Sequence, residues 1–169
     1  NNCIYGEANN ECTDLISEDS DGDNVTDGDE IGTYFTDPRD IDSDNDNIDD
    51  YDEINNCLYG ETGTECTNPN IADSDGDSII DGTEVRDLFS DPMDTDTDDD
   101  EISDGIENSN CIYGEDNDEC TSLIHEDSDF DGVDDNEEIF NCVYGENSDE
   151  CTDPLDEDSE NDGVSDGSE

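Results

Sequence analysis

Residues 19–30 read DSDGDNVTDGDE, and how that stretch is read decides the fold. Carboxylates stand at its positions 1, 3, 5, 9 and 12 (Asp19, Asp21, Asp23, Asp27, Glu30), with an aliphatic residue, Val25, at position 7. That is the spacing by which one short loop wraps a hard cation. Alternate side chains converge on the ion, the carbonyl of position 7 adds an oxygen, and a Glu at position 12 reaches back as a clamp.

The pattern D-[ST]-[DE]-x-D-x-[VI]-x-D-x-x-E recurs five more times. The second loop offers Asp42, Asp44, Asp46, Ile48, Asp50 and Glu53, and the third Asp73, Asp75, Asp77, Ile79, Asp81 and Glu84. The fourth offers Asp96, Asp98, Asp100, Ile102, Asp104 and Glu107, and the fifth Asp127, Asp129, Asp131, Val133, Asp135 and Glu138. The sixth offers Asp158, Glu160, Asp162, Val164, Asp166 and Glu169. An acidic chain matches one Asp pattern by chance, but not six in register with the same aliphatic at position 7. Calcium is the expected ion, at least six of them, because six or seven flexible oxygens are offered. Zinc prefers His or thiolate ligands.

The loops begin at intervals of 23, 31, 23, 31 and 31 residues. Cutting after each terminal Glu gives modules 1–30, 31–53, 54–84, 85–107, 108–138 and 139–169, which together form one tandem array over 1–169. Repeats of this size mark quasi-one-dimensional architectures. Such arrays normally carry atypical terminal modules as caps, and none is evident here, so the sequence reads as a slice of a longer array or a unit that repeats head to tail. The period-3.6 apolar pattern of a helix and the alternation of a strand are both missing. The expected fold class is therefore mostly irregular loop, an elongated cation-stabilised tandem-repeat rod. Regular structure is limited to a short helical turn at each Asp-x-x-Glu, capped by the Thr, Ser or Asp before it.

Composition explains why cations are needed at all. The chain has 169 residues, 59 acidic and 2 basic (Arg39, Arg86), a net charge of −57, and 27% hydrophobic residues. By itself that is the composition of a disordered polyanion, whose burial cannot offset the ordering entropy. The sign excludes attraction to nucleic acid or to an anionic membrane. No apolar run approaches the roughly 20 residues that span a bilayer, and no signal peptide is visible in this stretch. Thirty of the 59 acids stand at the loop positions named above, which organises about half of the charge for cations.

Eight cysteines fall in four C-x8-C pairs. Aligning Ile31–Pro38 with the segment from Ile54 to Pro69 places Tyr34 on Cys57 and Phe35 on Cys66. The longer module is thus the shorter one with eight residues inserted between two neighbours. Neighbours in the short module stay within disulfide reach in the long one, so the expected bonds are Cys3–Cys12, Cys57–Cys66, Cys111–Cys120 and Cys142–Cys151. Each closes a short loop worth roughly 2–3 kcal/mol and implies an oxidising, extracellular compartment. Each insert is headed by an aliphatic, a Tyr and a Gly. Tyr5, Tyr59, Tyr113 and Tyr144 either pack on their own loops or form a contact stripe for neighbouring chains.

Phrases such as DSDGDNVTDGDEIGTYFTDPRDIDSD (19–44) and DSDGDSIIDGTEVRDLFSDPMDTDTD (73–98) resemble the thrombospondin type 3 repeat in its bacterial form. The resemblance covers all six modules. It implies a calcium-threaded, largely irregular chain in a secreted or surface-attached protein, with further calcium ions sharing carboxylates between loops. Two features depart from that pattern: the cysteine inserts, and position 6, which is Gly only at Gly132 and Gly163. EF-hand and dockerin alternatives need helices beside the loops, and the 11 residues between Glu30 and Asp42 include Pro38, as Pro92 lies between Glu84 and Asp96.

No catalytic constellation is present: His125 is the only histidine and reads as solvated, and the sequon at Asn24 lies inside a loop. The expected function is a secreted calcium-binding structural protein forming a rigid rod or extracellular fibre, by self-association or as part of a longer array. The alternatives are a calcium-rigidified stalk of a larger adhesin or secreted enzyme, and a soluble calcium buffer or mineral-binding protein.

Overall fold

Each of the six acidic loops is tied shut by the same main-chain bond, from the N–H of position 9 to the carbonyl of the residue preceding position 1. It runs from Asp27 to Glu18 (3.0 Å), Asp50 to Ile41 (2.8 Å), Asp81 to Ala72 (3.0 Å), Asp104 to Thr95 (3.1 Å), Asp135 to Glu126 (2.9 Å) and Asp166 to Glu157 (3.1 Å). The computed structural model in which these bonds are seen describes residues 18–56, 66–110, 120–141 and 151–168. Among the described residues there is no β-strand, and most of the chain is turn, bend or irregular.

Helix is confined to the loop exits. α1 (Asp27–Asp29), α2 (Asp81–Thr83) and α3 (Asp104–Asn110) start on position 9. Thr26 caps α1, its hydroxyl accepting from the Asp29 N–H at 3.2 Å, which satisfies a donor that the first helical turn leaves open. Single π-helical turns cover Glu30–Tyr34, Asp52–Asn56, Glu84–Leu88 and Glu137–Asn141. A π turn is wider than an α turn and often marks a functional position. Here each one contains the position-12 Glu or opens on it. The helical turn expected at the Asp-x-x-Glu segments is present in α and π form, and as a 3₁₀ turn at Asp166–Ser168, while α2 lacks the expected cap because Ile80 stands at its N-cap.

Two backbone positions in every loop have positive φ. At position 4, φ lies between 58° and 89°, and at position 6 between 76° and 101°, whether the residue is Gly or not. Asn24, Asn47, Ser78 and Glu101 therefore adopt the conformation that Gly132 and Gly163 adopt. The departures from Gly at position 6 cost backbone strain and leave the shape of the loop unchanged.

Contacts divide the chain into two units. One comprises Asn1–Asp75, Ile80–Asp87 and Asp91–Met93, and the other Gly76–Ile79, Leu88–Ser90 and Asp94–Glu169. Among the described residues, the buried apolar side chains are those of position 7: Val25 and Ile48 in the first unit, Ile79, Ile102 and Val133 in the second. A core of isolated aliphatics cannot carry the entropy of ordering so long a chain. Among the described residues no helix is long and apolar enough to cross a membrane.

Candidate metal centre

Within each loop the acids have distinct tasks. Position 1 accepts from the main-chain N–H of position 6: Asn24 to Asp19 (3.3 Å), Asn47 to Asp42 (2.9 Å), Glu101 to Asp96 (3.0 Å), Gly132 to Asp127 (2.9 Å) and Gly163 to Asp158 (2.8 Å). Position 5 accepts from the N–H of position 7 through Oδ1. Asp23, Asp46, Asp77, Asp100, Asp131 and Asp162 all do so, at 2.6 to 2.9 Å. These bonds aim the remaining oxygens inward. In the first loop Asp19, Asp21 and Asp23 bring ligand atoms within 4.8 Å of one another, and Asp42, Asp44 and Asp46 do the same in the second.

Position 9 does something the sequence reading did not foresee. In the first five loops both its oxygens are held by the Ser or Thr at position 2. The Ser43 N–H and hydroxyl donate to Asp50 at 2.8 and 2.8 Å, those of Ser74 to Asp81 at 2.7 and 2.6 Å, and those of Ser128 to Asp135 at 2.9 and 2.6 Å. Ser20 and Thr97 make the same pair of bonds to Asp27 and Asp104, and Ser159 holds Asp166 through one oxygen. The hydroxyl also accepts from the connector, as from the Asp37 N–H to Ser43 (2.8 Å) and the Ser122 N–H to Ser128 (2.8 Å). A relay thus runs from connector to hydroxyl to carboxylate. Its signal was in the sequence, since position 2 is Ser or Thr in all six copies.

So oriented, position 9 faces the loop before its own. Asp46 and Glu53 of the second loop and Asp81 of the third, all fully buried, bring ligand atoms within 4.8 Å of one another. The Gly82 main chain lies against the Asp46 carbonyl, where an added Cβ would come within 2.0 Å. Gly105 stands in the same relation to Asp77. At Gly167 the corresponding approach to Asp131 is 2.5 Å, and its N–H donates to Asp131 Oδ2 at 2.6 Å. Where position 10 is Asn136 instead, its side-chain amide donates to Glu101 of the preceding loop at 3.2 Å.

The electrostatics are those of a site short of positive charge. Burial lifts the Glu30 carboxyl to about 8, with Asp21 and Asp23 adding to the rise, and the Glu53 carboxyl to about 9, with Asp44 adding. Burial likewise raises Asp46 and Asp100 to about 7, and Glu107 and Glu138 to about 8. Glu30 accepts from the buried Thr36 hydroxyl at 3.3 Å through Oε1, while its Oε2 has no hydrogen-bond partner. The Oδ2 atoms of Asp23, Asp46 and Asp100 are buried and equally unpartnered. Isolated buried carboxylates cost several kcal/mol each, and the two arginines of the sequence cannot offset them. Arg39 lies 3.6 Å from the connector residue Asp37. Several acidic groups thus cluster at distances that suit a cation, with the oxygen-only donor set that suits calcium.

The sixth loop is the least enclosed, although its Asp166 is buried. Asp162 is exposed, and Glu169 lies outside the described residues. Cys66, Cys120 and Cys151 are in disulfides, while Cys3, Cys12, Cys57, Cys111 and Cys142 lie outside the described residues, as do Tyr5, Tyr59, Tyr113 and Tyr144. His125 is exposed, its Nδ1 3.0 Å from the Ser122 hydroxyl and its ring edge-on to Phe130. No model of a known protein family matches the chain, and no curated protein matches it.

Proposed function

We propose that this chain is an extracellular calcium-binding structural protein, in which bound ions hold a tandem array of acidic loops as a rod or fibre of the thrombospondin type 3 kind. The observation that carries the reading is the set of buried carboxylate oxygens without hydrogen-bond partners, Asp46 Oδ2 above all, beside Glu53 and Asp81. A fold that buries anions in this way is favourable only when cations enter with it, so folding and ion binding are one equilibrium. Oxygen donors on flexible loops favour calcium over zinc and transition metals. Two kinds of site are supported: one inside each loop from positions 1, 3 and 5, and one between loops from positions 5 and 12 with position 9 of the next. At least six ions are expected. The disulfides suit secretion.

Calorimetric titration of the chelated protein with calcium, followed by circular dichroism, tests this. The expected result is uptake of six or more ions per chain with a change in the spectrum that a chelator reverses. An unchanged spectrum between chelator and millimolar calcium overturns the reading.

A further inference from the structure

Between one loop and the next, two adjacent connector residues reach in opposite directions. After the first loop they are Thr36 and Asp37. The Thr36 hydroxyl donates to Glu30 Oε1 at 3.3 Å, at position 12 of the loop behind it. The Asp37 N–H donates to the Ser43 hydroxyl at 2.8 Å, and that hydroxyl donates to Asp50 Oδ2 at 2.8 Å, at position 9 of the loop ahead. The second link is the relay described above, and the Thr has no part in it. Thr36 and Glu30 are both buried, and the other oxygen of Glu30, Oε2, has no hydrogen-bond partner.

Local structure puts Thr36 in this place. Phe35 closes the π turn that opens on Glu30: it is left-handed (φ 64°), and its N–H donates to the Glu30 carbonyl at 2.6 Å. A left-handed residue at a helix end reverses the chain, which folds Thr36 back on the first residue of the turn. After the next four loops the equivalent residues are Thr67, Ser90, Thr121 and Thr152, each buried. Thr67, Thr121 and Thr152 face Glu53, Glu107 and Glu138 in the same way, short of full hydrogen-bond geometry and with no other partner. The residue before each of these three is a disulfide-bonded cysteine, standing where Phe35 stands in the shorter module. Burying a hydroxyl is costly, and a Val of the same shape would fill the space without that cost. Packing therefore does not account for Thr at these places.

We propose that the connector Thr is a positioning residue for the cation site between loops. Its hydroxyl fixes one oxygen of the position-12 Glu and so turns the other towards the ion, which that Glu shares with position 5 of its own loop and position 9 of the next. This deepens the calcium reading above and rests on it. A ligating carboxylate that is itself hydrogen-bonded is held in one orientation, and losing such a partner lowers metal affinity by about tenfold or more.

Calorimetric titration with calcium tests it on the wild-type chain, Thr36→Val, Thr36→Ser, Glu30→Gln and the double variant carrying Thr36→Val with Glu30→Gln. Affinity at the affected site is expected to fall about tenfold in Thr36→Val and to be restored in Thr36→Ser, which keeps the hydroxyl. In the double variant it is expected to fall no further than in Glu30→Gln, because the hydroxyl acts through that carboxyl and coupled residues do not add. Thr36→Val that binds like wild type, Thr36→Ser that binds like Thr36→Val, or losses that add in the double variant each overturn the positioning role and leave the calcium reading standing. Should Thr36→Val take up no calcium at all, the same cycle at Thr67 and Glu53 decides by the same criteria. Wild type that takes up no calcium overturns the underlying reading, and this inference with it.

Discussion

At the scale of single residues, the proposed function divides the work between side chains placed to hold a cation and side chains that hold those side chains. Asp46 belongs to the first group, with Oδ1 taken by the Ile48 N–H at 2.6 Å and Oδ2 left for an ion. Asp46→Asn keeps the main-chain bond and removes the charge. Calcium affinity measured by calorimetry is expected to fall at least tenfold at the affected sites, about 1.4 kcal/mol or more. Ser43 belongs to the second group. Ser43→Ala strips the hydroxyl that links the connector N–H to Asp50, and about 1–3 kcal/mol of stability is expected to go with it. The check is the thermal midpoint in calcium, and an unchanged midpoint would show that the relay is ornamental. Protons compete with calcium for the same oxygens. A carboxyl whose folded value is raised keeps its proton longer in the fold than in the unfolded chain. The cation-free fold is therefore most favoured below the ordinary value of 4.5 and loses that support as pH rises through about 8 at Glu30 and about 9 at Glu53. Circular dichroism in chelator is expected to show order gained towards pH 4 and lost by pH 9. The opposite trend would contradict the buried placement of these groups.

At the scale of the element, each loop is a ring closed by one main-chain bond, with two positive-φ residues turning the carboxylates inward. Gly132 has φ of 101° and nothing within 4 Å of an added Cβ, so Gly132→Ala isolates the conformational cost from any steric one. A loss of about 1–2 kcal/mol is expected, read as a lower melting temperature in calcium with the ion count preserved. Gly82→Ala fails for a different reason: its Cβ would sit 2.0 Å from the Asp46 carbonyl and force two loops apart. Its cost is expected to exceed that of Gly132→Ala in the same melting experiment, and parity between the two would deny the close approach. Much of this scale was legible in advance. Carboxylate spacing announced the loops and the Asp-x-x-Glu segments announced a helical turn. The π character of that turn was not legible, because it depends on where the buried Glu must reach.

At the scale of the whole molecule, there is one small aliphatic per loop to bury and a large charge to neutralise. On the function proposed above, the order of the chain is conditional on its ions. The sequence by itself determined the number of loops, their register, the oxygen-only donor set and the near-absence of regular secondary structure. All of these are local properties of spacing and composition, and a local pattern can be read without knowing what lies beside it. The tertiary structure alone decided that position 9 faces the preceding loop, that position 2 holds it there, and that Gly at position 10 admits a neighbouring carbonyl. The second is a bond seven residues long, as from Ser43 to Asp50, but the first and third relate residues of successive loops far apart in the chain, such as Asp46 and Asp81. They arise when one loop stacks on the next, because a buried carboxylate takes its neighbours from whatever chain comes to cover it.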